Sequence, residues 1–124
     1  MAKIKRFEDI EAWQEAKVLS KMVYDAVNSN KALANDYKFR KQIESASVSV
    51  MSNIEDGFSR RATDQFTQFL FAANESIAEL QRQLHVALDQ GYLKQEKFDE
   101  LHSKSDEVAG LISSLIQYLS KPGT

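Results

Sequence analysis

Residues that interrupt helices are almost absent from this sequence. Its 124 residues include one proline, Pro122, and four glycines, Gly57, Gly91, Gly110 and Gly123. Proline removes a backbone N–H and fixes φ, and glycine is the usual residue of tight turns, so a turn-rich β protein would need more of both. The shortage therefore predicts an all-α protein.

Apolar residues recur at helical spacing along the chain. Two stripes step by three and four residues: Phe66, Leu70, Ala73, Ile77, Leu80, Leu84 and Ala87, and then Phe98, Leu101, Ser105, Val108, Ile112, Leu115 and Leu119. With weaker stripes in the first half, they predict helices at about residues 8–28, 37–58, 63–90 and 95–120. Asp36 and Thr63 are the predicted N-caps, and Gly91 is a predicted helix stop. Four amphipathic helices with short joins predict one domain, residues 1–124, folded as an antiparallel up-down four-helix bundle.

The composition excludes several classes of protein. The 16 basic and 18 acidic residues give a net charge of -2, without the strongly basic surface that usually supplies affinity for nucleic acid. Residues 1–41 nevertheless hold nine basic and six acidic residues, a local net charge of +3. The absence of cysteine excludes disulfides and thiol chemistry. Because no signal peptide or stretch of about 20 apolar residues is present, we expect a soluble cytoplasmic protein that makes no membrane contact.

Polar and small residues interrupt the apolar face in residues 42–61. Asn53 lies where the other helices place Leu or Ile. Either its amide is buried and fixes the pairing of helices, or the helix is rotated and Asn53 faces water or caps a loop. Ser45, Ser49 and Ser52 recur at positions i, i+4 and i+7. Such serines either admit the helix of a second subunit or form a solvated face.

Two further features are an arginine pair at the end of this segment and an aromatic residue after it. Arg60 and Arg61 either bind phosphate or pair with Asp56 and Asp64 at the helix join, and we favour the pairing. Phe71 lies about 100° around the helix from Leu70 and therefore off the apolar stripe. An exposed aromatic ring at that position favours a contact between subunits.

The order of motifs along the chain resembles a known family. Residues 53–60 read Asn-Ile-Glu-Asp-Gly-Phe-Ser-Arg, with Ser49 and Val50 before them and Phe66, Phe69 and Leu70 after them. They are similar to the pattern S-I-P-x-N-I-A-E-G-x-G-R followed by F-x-x-F-L. Three further groups match in order, namely Phe7-Glu8-Asp9-Ile10 with Trp13-Gln14 and Ala16, then Ser76 with Glu79-Leu80, then Gly91-Tyr92-Leu93. The pattern belongs to four-helix bundle proteins encoded in intervening sequences of bacterial 23S ribosomal RNA genes, distant relatives of retroelement accessory variability proteins.

The resemblance implies a bundle that assembles as a homo-oligomer, a pentamer, without a defined biochemical activity. Distant relatives are accessory partners of reverse transcriptases, with a basic surface against nucleic acid. This chain has Glu44-Ser45 where family members often have two arginines, Met51 in place of Pro, and Glu55-Asp56 in place of Ala-Glu. The missing arginines weaken the inference that nucleic acid is bound.

No catalytic or cofactor motif accompanies the predicted helices. The sequence lacks a Gly-rich phosphate loop, H-E-x-x-H and G-x-S-x-G. A di-metal site in a bundle requires Glu-x-x-His on two helices. Asp99 and His102 supply one acid–histidine pair, but Arg82 occupies the matching position before His85. We therefore predict no enzyme activity, no metal and no cofactor.

Two functions remain as hypotheses. The first is a non-enzymatic homo-oligomeric scaffold or accessory module, whose interface or motif residues are Ser49, Asn53, Gly57, Arg60 and Phe71. The alternative is RNA binding, as an accessory to a reverse transcriptase or to ribosomal RNA. It would use a local basic patch of Lys38, Arg40, Lys41, Arg60 and Arg61.

Overall fold

The structure, a computed structural model, describes residues 4–121 as helices joined by short turns. A 3-10 turn at Phe7–Asp9 precedes α1 (Glu11–Asn28), α2 (Lys31–Asn35), α3 (Tyr37–Ser59), α4 (Thr63–Asp89) and α5 (Gln95–Leu119). Residues 4–121 contain no strand, which confirms the all-α prediction. Over the same residues, no helix has the length and apolar character needed to cross a membrane. Pro122 and both ends of the predicted domain lie outside the described residues.

The helix ends follow the capping signals in most places. Asp36 caps α3 as predicted, accepting a hydrogen bond from the Phe39 N–H at 3.3 Å. Gly91 ends the α4 turn with a φ of +78°, the left-handed conformation that glycine adopts most readily. The predicted N-cap at Thr63 is wrong, because Thr63 is already helical and Ala62 occupies the cap position. The first long helix begins at Glu11, since the chain before it forms the 3-10 turn.

The four long helices surround a single apolar core. Helix α1 packs against α3 and α5, α4 packs against the same two helices, and the short α2 contacts α1 and α3. All seven residues of the predicted α4 stripe are buried, whereas the α5 stripe is buried only as far as Ile112. The largest fully buried side chains come from all four long helices and α2: Leu19, Val23, Val27, Leu33, Ile43, Val50, Ile54, Leu70, Leu80, Leu84, Leu101 and Ile112.

Polar contacts join neighbouring helices at the edges of this core. The buried hydroxyls of Ser20 and Ser47 lie 3.3 Å apart between α1 and α3. Lys104 of α5 forms an ion pair with Glu15 of α1. These contacts tie α1 to both of its neighbours.

We expect acid to weaken the contact between α1 and α5. The hydrogen bond from Lys104 holds the pKa of Glu15 below its usual value. A carboxylate with a lowered folded-state pKa adds stability that is present above its unfolded pKa and lost as the pH falls through the folded pKa. Glu15→Gln should therefore show a smaller fall in urea midpoint between about pH 7 and about pH 3 than the unchanged chain. Glu75→Gln removes an exposed carboxylate elsewhere as a control, and equal falls in all three proteins would contradict the prediction.

Candidate functional site on helix α3

Ser49 and Asn53 form a polar contact between α3 and α4. The Ser49 hydroxyl lies 2.8 Å from the hydroxyl of Ser76 on α4. The Asn53 amide donates hydrogen bonds to the Ser49 carbonyl at 2.9 Å and to the Ser49 hydroxyl at 3.2 Å. Both predicted residues therefore have partners within the chain, and Ser49 faces α4 of the same chain.

Asn53 is half-buried because α3 is rotated relative to the predicted stripe. Ile54, one residue later, takes the fully buried position with 0% of its surface exposed. Ser47 is also fully buried, with 0% of its surface exposed. The sequence signal for Ser47 was its spacing, four residues after Ile43 and three before Val50, which fits the core-facing side of a helix.

Gly57 marks a close approach of α3 and α4. A Cβ added to Gly57 would lie 2.6 Å from the Phe69 Cβ, 3.0 Å from the Phe66 Cδ1 and 3.3 Å from the Phe66 carbonyl oxygen. Contacts under about 3 Å require one of the two helices to move. Glycine at this position is therefore required by packing within the chain.

Arg60 and Arg61 rest on aromatic rings. The Arg60 guanidinium lies 5.0 Å from the centre of the Phe69 ring, and that of Arg61 lies 5.7 Å from the centre of the Phe58 ring. Neither forms an ion pair with any residue in 4–121, so the expected pairing with Asp56 and Asp64 is wrong. Arg61 also has a φ of 62°, a conformation unusual for a residue with a Cβ.

The five predicted RNA contacts do not form one patch. Lys38, Arg40 and Lys41 lie in the first turns of α3, while Arg60 and Arg61 follow its last residue. At 1.5 Å of rise per residue, the two groups are about 30 Å apart. Arg40 is also engaged, since its guanidinium pairs with Glu44 at 3.3 Å and donates to the Ala34 carbonyl.

A polar groove of about 450 Å³ runs between α3 and α4. It is lined by Gln42, Ser45, Ala46, Ser49, Ser76, Glu79 and Gln83. Gln83 is 8% exposed and donates to the Glu79 carboxylate at 3.2 Å. Its burial was not predicted, because a glutamine in the middle of an amphipathic helix ordinarily faces water.

Phe71 lies apart from the α3 residues with which it was grouped. It follows Phe69 by two residues, about 200° further around α4, and so faces away from α3. The Phe71 side chain is 54% exposed, as its position off the apolar stripe predicted. Of the five candidate interface residues, Ser49, Asn53 and Gly57 therefore pack within the chain, whereas Arg60 and Phe71 are exposed.

The α3 motif lies within a match to a known protein family. The sequence profile of the 23S rRNA-intervening sequence protein family matches residues 8–114, which include the whole of α3 and α4. The chain belongs to the 23S rRNA-intervening sequence protein family. The family resemblance drawn from residues 53–60 is thereby confirmed.

A solved structure has the same fold as this family member. It is the crystal structure of a protein with unknown function from the S23 ribosomal protein family of Bacteroides thetaiotaomicron. The two chains are 22% identical with a TM-score of 0.72, over 86% of this chain and 98% of the other. At this identity the likeness concerns the fold alone. Among curated proteins, none matches this sequence.

The two histidines of this family member lie together on α4 and α5. Their ring centres are 5.8 Å apart, and the Phe98 ring lies 4.9 Å from His85 and 5.4 Å from His102. His102 faces Asp106 at 3.4 Å and not Asp99, the partner that the sequence spacing suggested. Within residues 4–121, no group of three or more His, Asp or Glu side chains could hold a metal ion.

Gly57→Ala should destabilise the bundle by about 1–3 kcal/mol, because the added methyl group meets the Cβ of Phe69 and the backbone of Phe66. The free energy of unfolding in urea measures the effect.

Gly110→Ala is the matched control for this measurement. Gly110 lies within α5, is exposed, and has no atom within 4 Å of an added Cβ. There the same change should stabilise the chain by about 0.5–1 kcal/mol, since alanine favours a helix interior over glycine. Equal effects at the two positions would contradict the packing role of Gly57.

Proposed function

We propose that this member of the 23S rRNA-intervening sequence protein family is a homo-oligomeric scaffold or accessory module without catalytic activity of its own. The family resemblance makes a ring of five subunits the expected assembly, and a bacterial cytoplasm the expected location. Its partner would be an RNA or a nucleoprotein, such as ribosomal RNA or a reverse transcriptase.

The proposed subunit is an antiparallel up-down four-helix bundle. The order of contacts supports this topology: Ser49 meets Ser76 and Gly57 meets Phe69, so residue numbers rise on α3 as they fall on α4. The hydrogen bonds between α4 and α5 have the same reversed order, because Asn74 pairs with Ser113 and Gln81 pairs with Ser105. Short connections favour such antiparallel neighbours.

The exposed ring of Phe71 carries the proposal of self-association. Over half of this side chain is exposed, and the residues three and four positions away on α4 are uncharged except for Glu75. Interface centres are enriched in aromatic residues and depleted of charge. A second subunit would remove the ring from water, which is favourable in proportion to the apolar area covered.

We expect light scattering after gel filtration to give a mass well above the 14.1 kDa of one subunit at micromolar concentration. Phe71→Gln should lower the measured mass, because it replaces the exposed ring with a polar side chain. Val86→Gln removes another exposed apolar side chain, about 22 Å further along α4, as the control. A monomeric unchanged chain would contradict the proposed function.

RNA contact by Arg60 and Arg61 is the second candidate function. Both guanidinium groups are exposed and held on aromatic rings, and neither is neutralised by a carboxylate of the described chain. Guanidinium groups held in this way are available to phosphate oxygens, to which arginine can donate two parallel hydrogen bonds.

The double substitution Arg60→Glu with Arg61→Glu should abolish retention of a structured RNA in a gel-shift assay, with a flatter salt dependence of any binding that remains. Lys31→Glu with Lys94→Glu, at the opposite end of the bundle, makes the same change in net charge and should have a smaller effect. The candidate fails if the unchanged protein does not shift RNA at low salt.

A further inference from the structure

The groove between α3 and α4 contains a buried oxygen atom that has no hydrogen-bond partner. The atom is Oε1 of Gln83, whose side chain lines the groove and is 8% exposed. No donor within residues 4–121 forms a hydrogen bond with it. Buried polar atoms in folded proteins are nearly always paired, because an unpaired one loses its hydrogen bonds to water without replacement. This oxygen is therefore an acceptor that a donor from outside the chain would satisfy.

Glu79 fixes the orientation of the Gln83 amide. A carboxylate accepts hydrogen bonds and has none to donate, so the amide nitrogen of Gln83 must face it, at 3.2 Å. The opposite orientation would place two acceptors against each other. The carbonyl oxygen is thus excluded from the contact with Glu79. The last torsion of a glutamine side chain is broad, so a small rotation turns this oxygen towards a ligand seated in the groove.

The carboxylate of Glu79 makes the groove acidic. Of the residues within 4–121 that line the groove, Glu79 alone is charged. Its oxygens offer about four acceptor sites, and the chain uses two of them, one for the Gln83 amide and one for the guanidinium of Arg82. The pair with Arg82 lies on the surface, where such pairs contribute little. Glu79 therefore keeps the capacity to accept hydrogen bonds from a ligand.

The other residues of the groove are neutral and mostly small. The hydroxyls of Ser49 and Ser76 bond to each other at 2.8 Å, Ala46 is buried, and Gln42 and Ser45 are exposed. The groove volume of about 450 Å³ is typical of a site for a small ligand. Small side chains therefore leave room for a ligand group beside the two acceptors.

A guanidinium group matches these acceptors best. It carries N–H donors on all the nitrogen atoms of a rigid plane and has no acceptor, so one group can donate to an amide oxygen and a carboxylate together. A primary ammonium places its donors on a single atom and is more strongly hydrated. Phosphate and carboxylate ligands would be repelled by Glu79.

We propose that the groove between α3 and α4 is a binding site for a guanidinium group, with Gln83 Oε1 and the Glu79 carboxylate as its acceptors. The group belongs either to a small guanidino compound or to an arginine side chain of another protein. Self-association through Phe71 and RNA contact through Arg60 and Arg61 use neither acceptor, so this inference goes beyond the proposed function. Phe71 faces away from α3, and a contact through it does not require the groove.

Titration of the isotope-labelled full chain with methylguanidinium chloride tests the site. Heteronuclear NMR should show saturable shifts of the Gln83 side-chain amide and of the backbone amides of Ser49 and Ser76, which sodium chloride does not reproduce. Methylurea has nearly the same shape without the charge, and it should bind at least about tenfold more weakly, because hydrogen bonds to Glu79 from a neutral donor are weaker. Absence of saturable shifts at the groove, or equal affinity for methylurea, overturns the proposal.

Gln83→Met tests the unpaired oxygen. The substitution nearly keeps the length of the side chain and removes its polar atoms, so the dissociation constant for methylguanidinium should rise about tenfold or more. Gln68→Met, at an exposed position about 22 Å away along α4, is the matched control and should leave the constant unchanged. Equal affinity of the Gln83→Met variant and the unchanged chain overturns the proposal.

Arg82→Gln tests the same site without changing a buried side chain. It removes the guanidinium that competes for Glu79, so methylguanidinium should bind several-fold more tightly. Lys94→Gln makes the same change in net charge at an exposed position outside the groove and should leave the affinity unchanged. Equal effects of the two substitutions would show a general effect of net charge and overturn the role of Glu79.

A short peptide distinguishes the two sources of the guanidinium group. If acetyl-Gly-Arg-Gly-amide binds more tightly than methylguanidinium, the groove also contacts a peptide backbone, and an arginine side chain of another protein is the ligand. If the peptide binds equally or more weakly, the ligand is a small guanidino compound. Light scattering of the same samples reports the assembly independently, so a monomer that binds contradicts the proposed function and leaves this site standing.

Discussion

The contact between α3 and α4 at Gly57 determines the geometry of the motif region. Its missing side chain lets the backbone of α3 lie against Phe66 and Phe69 more closely than any Cβ would permit. The approach sets the register of the two helices, so that Ser49 meets Ser76 and the Arg60 guanidinium reaches the Phe69 ring. A larger residue at 57 would separate the two helices beside Phe66 and Phe69.

This register explains why so many polar residues occur in a helix of the bundle. Ser47 and Ser49 pair with serines of α1 and α4, and Asn53 donates to Ser49, so these groups keep hydrogen bonds as they leave water. Ser45 lies beside Ser49 and lines the groove between α3 and α4. The polar residues on the inner side of α3 thus form their contacts within the chain.

The similarity to the Bacteroides thetaiotaomicron structure at 22% identity fits this division. An apolar core tolerates extensive substitution when its volume and pattern are kept, so the fold persists while most residues differ. Exposed charged side chains are under no such packing constraint. Exposed side chains such as Phe71 can therefore differ between proteins that share this fold.

The sequence by itself determined the four long helices, because helical periodicity and capping are local properties of the chain, whereas the short α2 at Lys31–Asn35 was not predicted. The α4 stripe, the Asp36 cap and the Gly91 stop could all be read from neighbouring residues. The roles of polar residues could not, because rotation of α3 by a fraction of a turn decides whether Asn53 or Ile54 is buried. The guanidinium groups of Arg60 and Arg61 were expected to pair with Asp56 and Asp64. They lie instead on the aromatic rings of Phe69 on α4 and Phe58 on α3. Only the tertiary structure decided these partners, since each depends on how closely two helices approach.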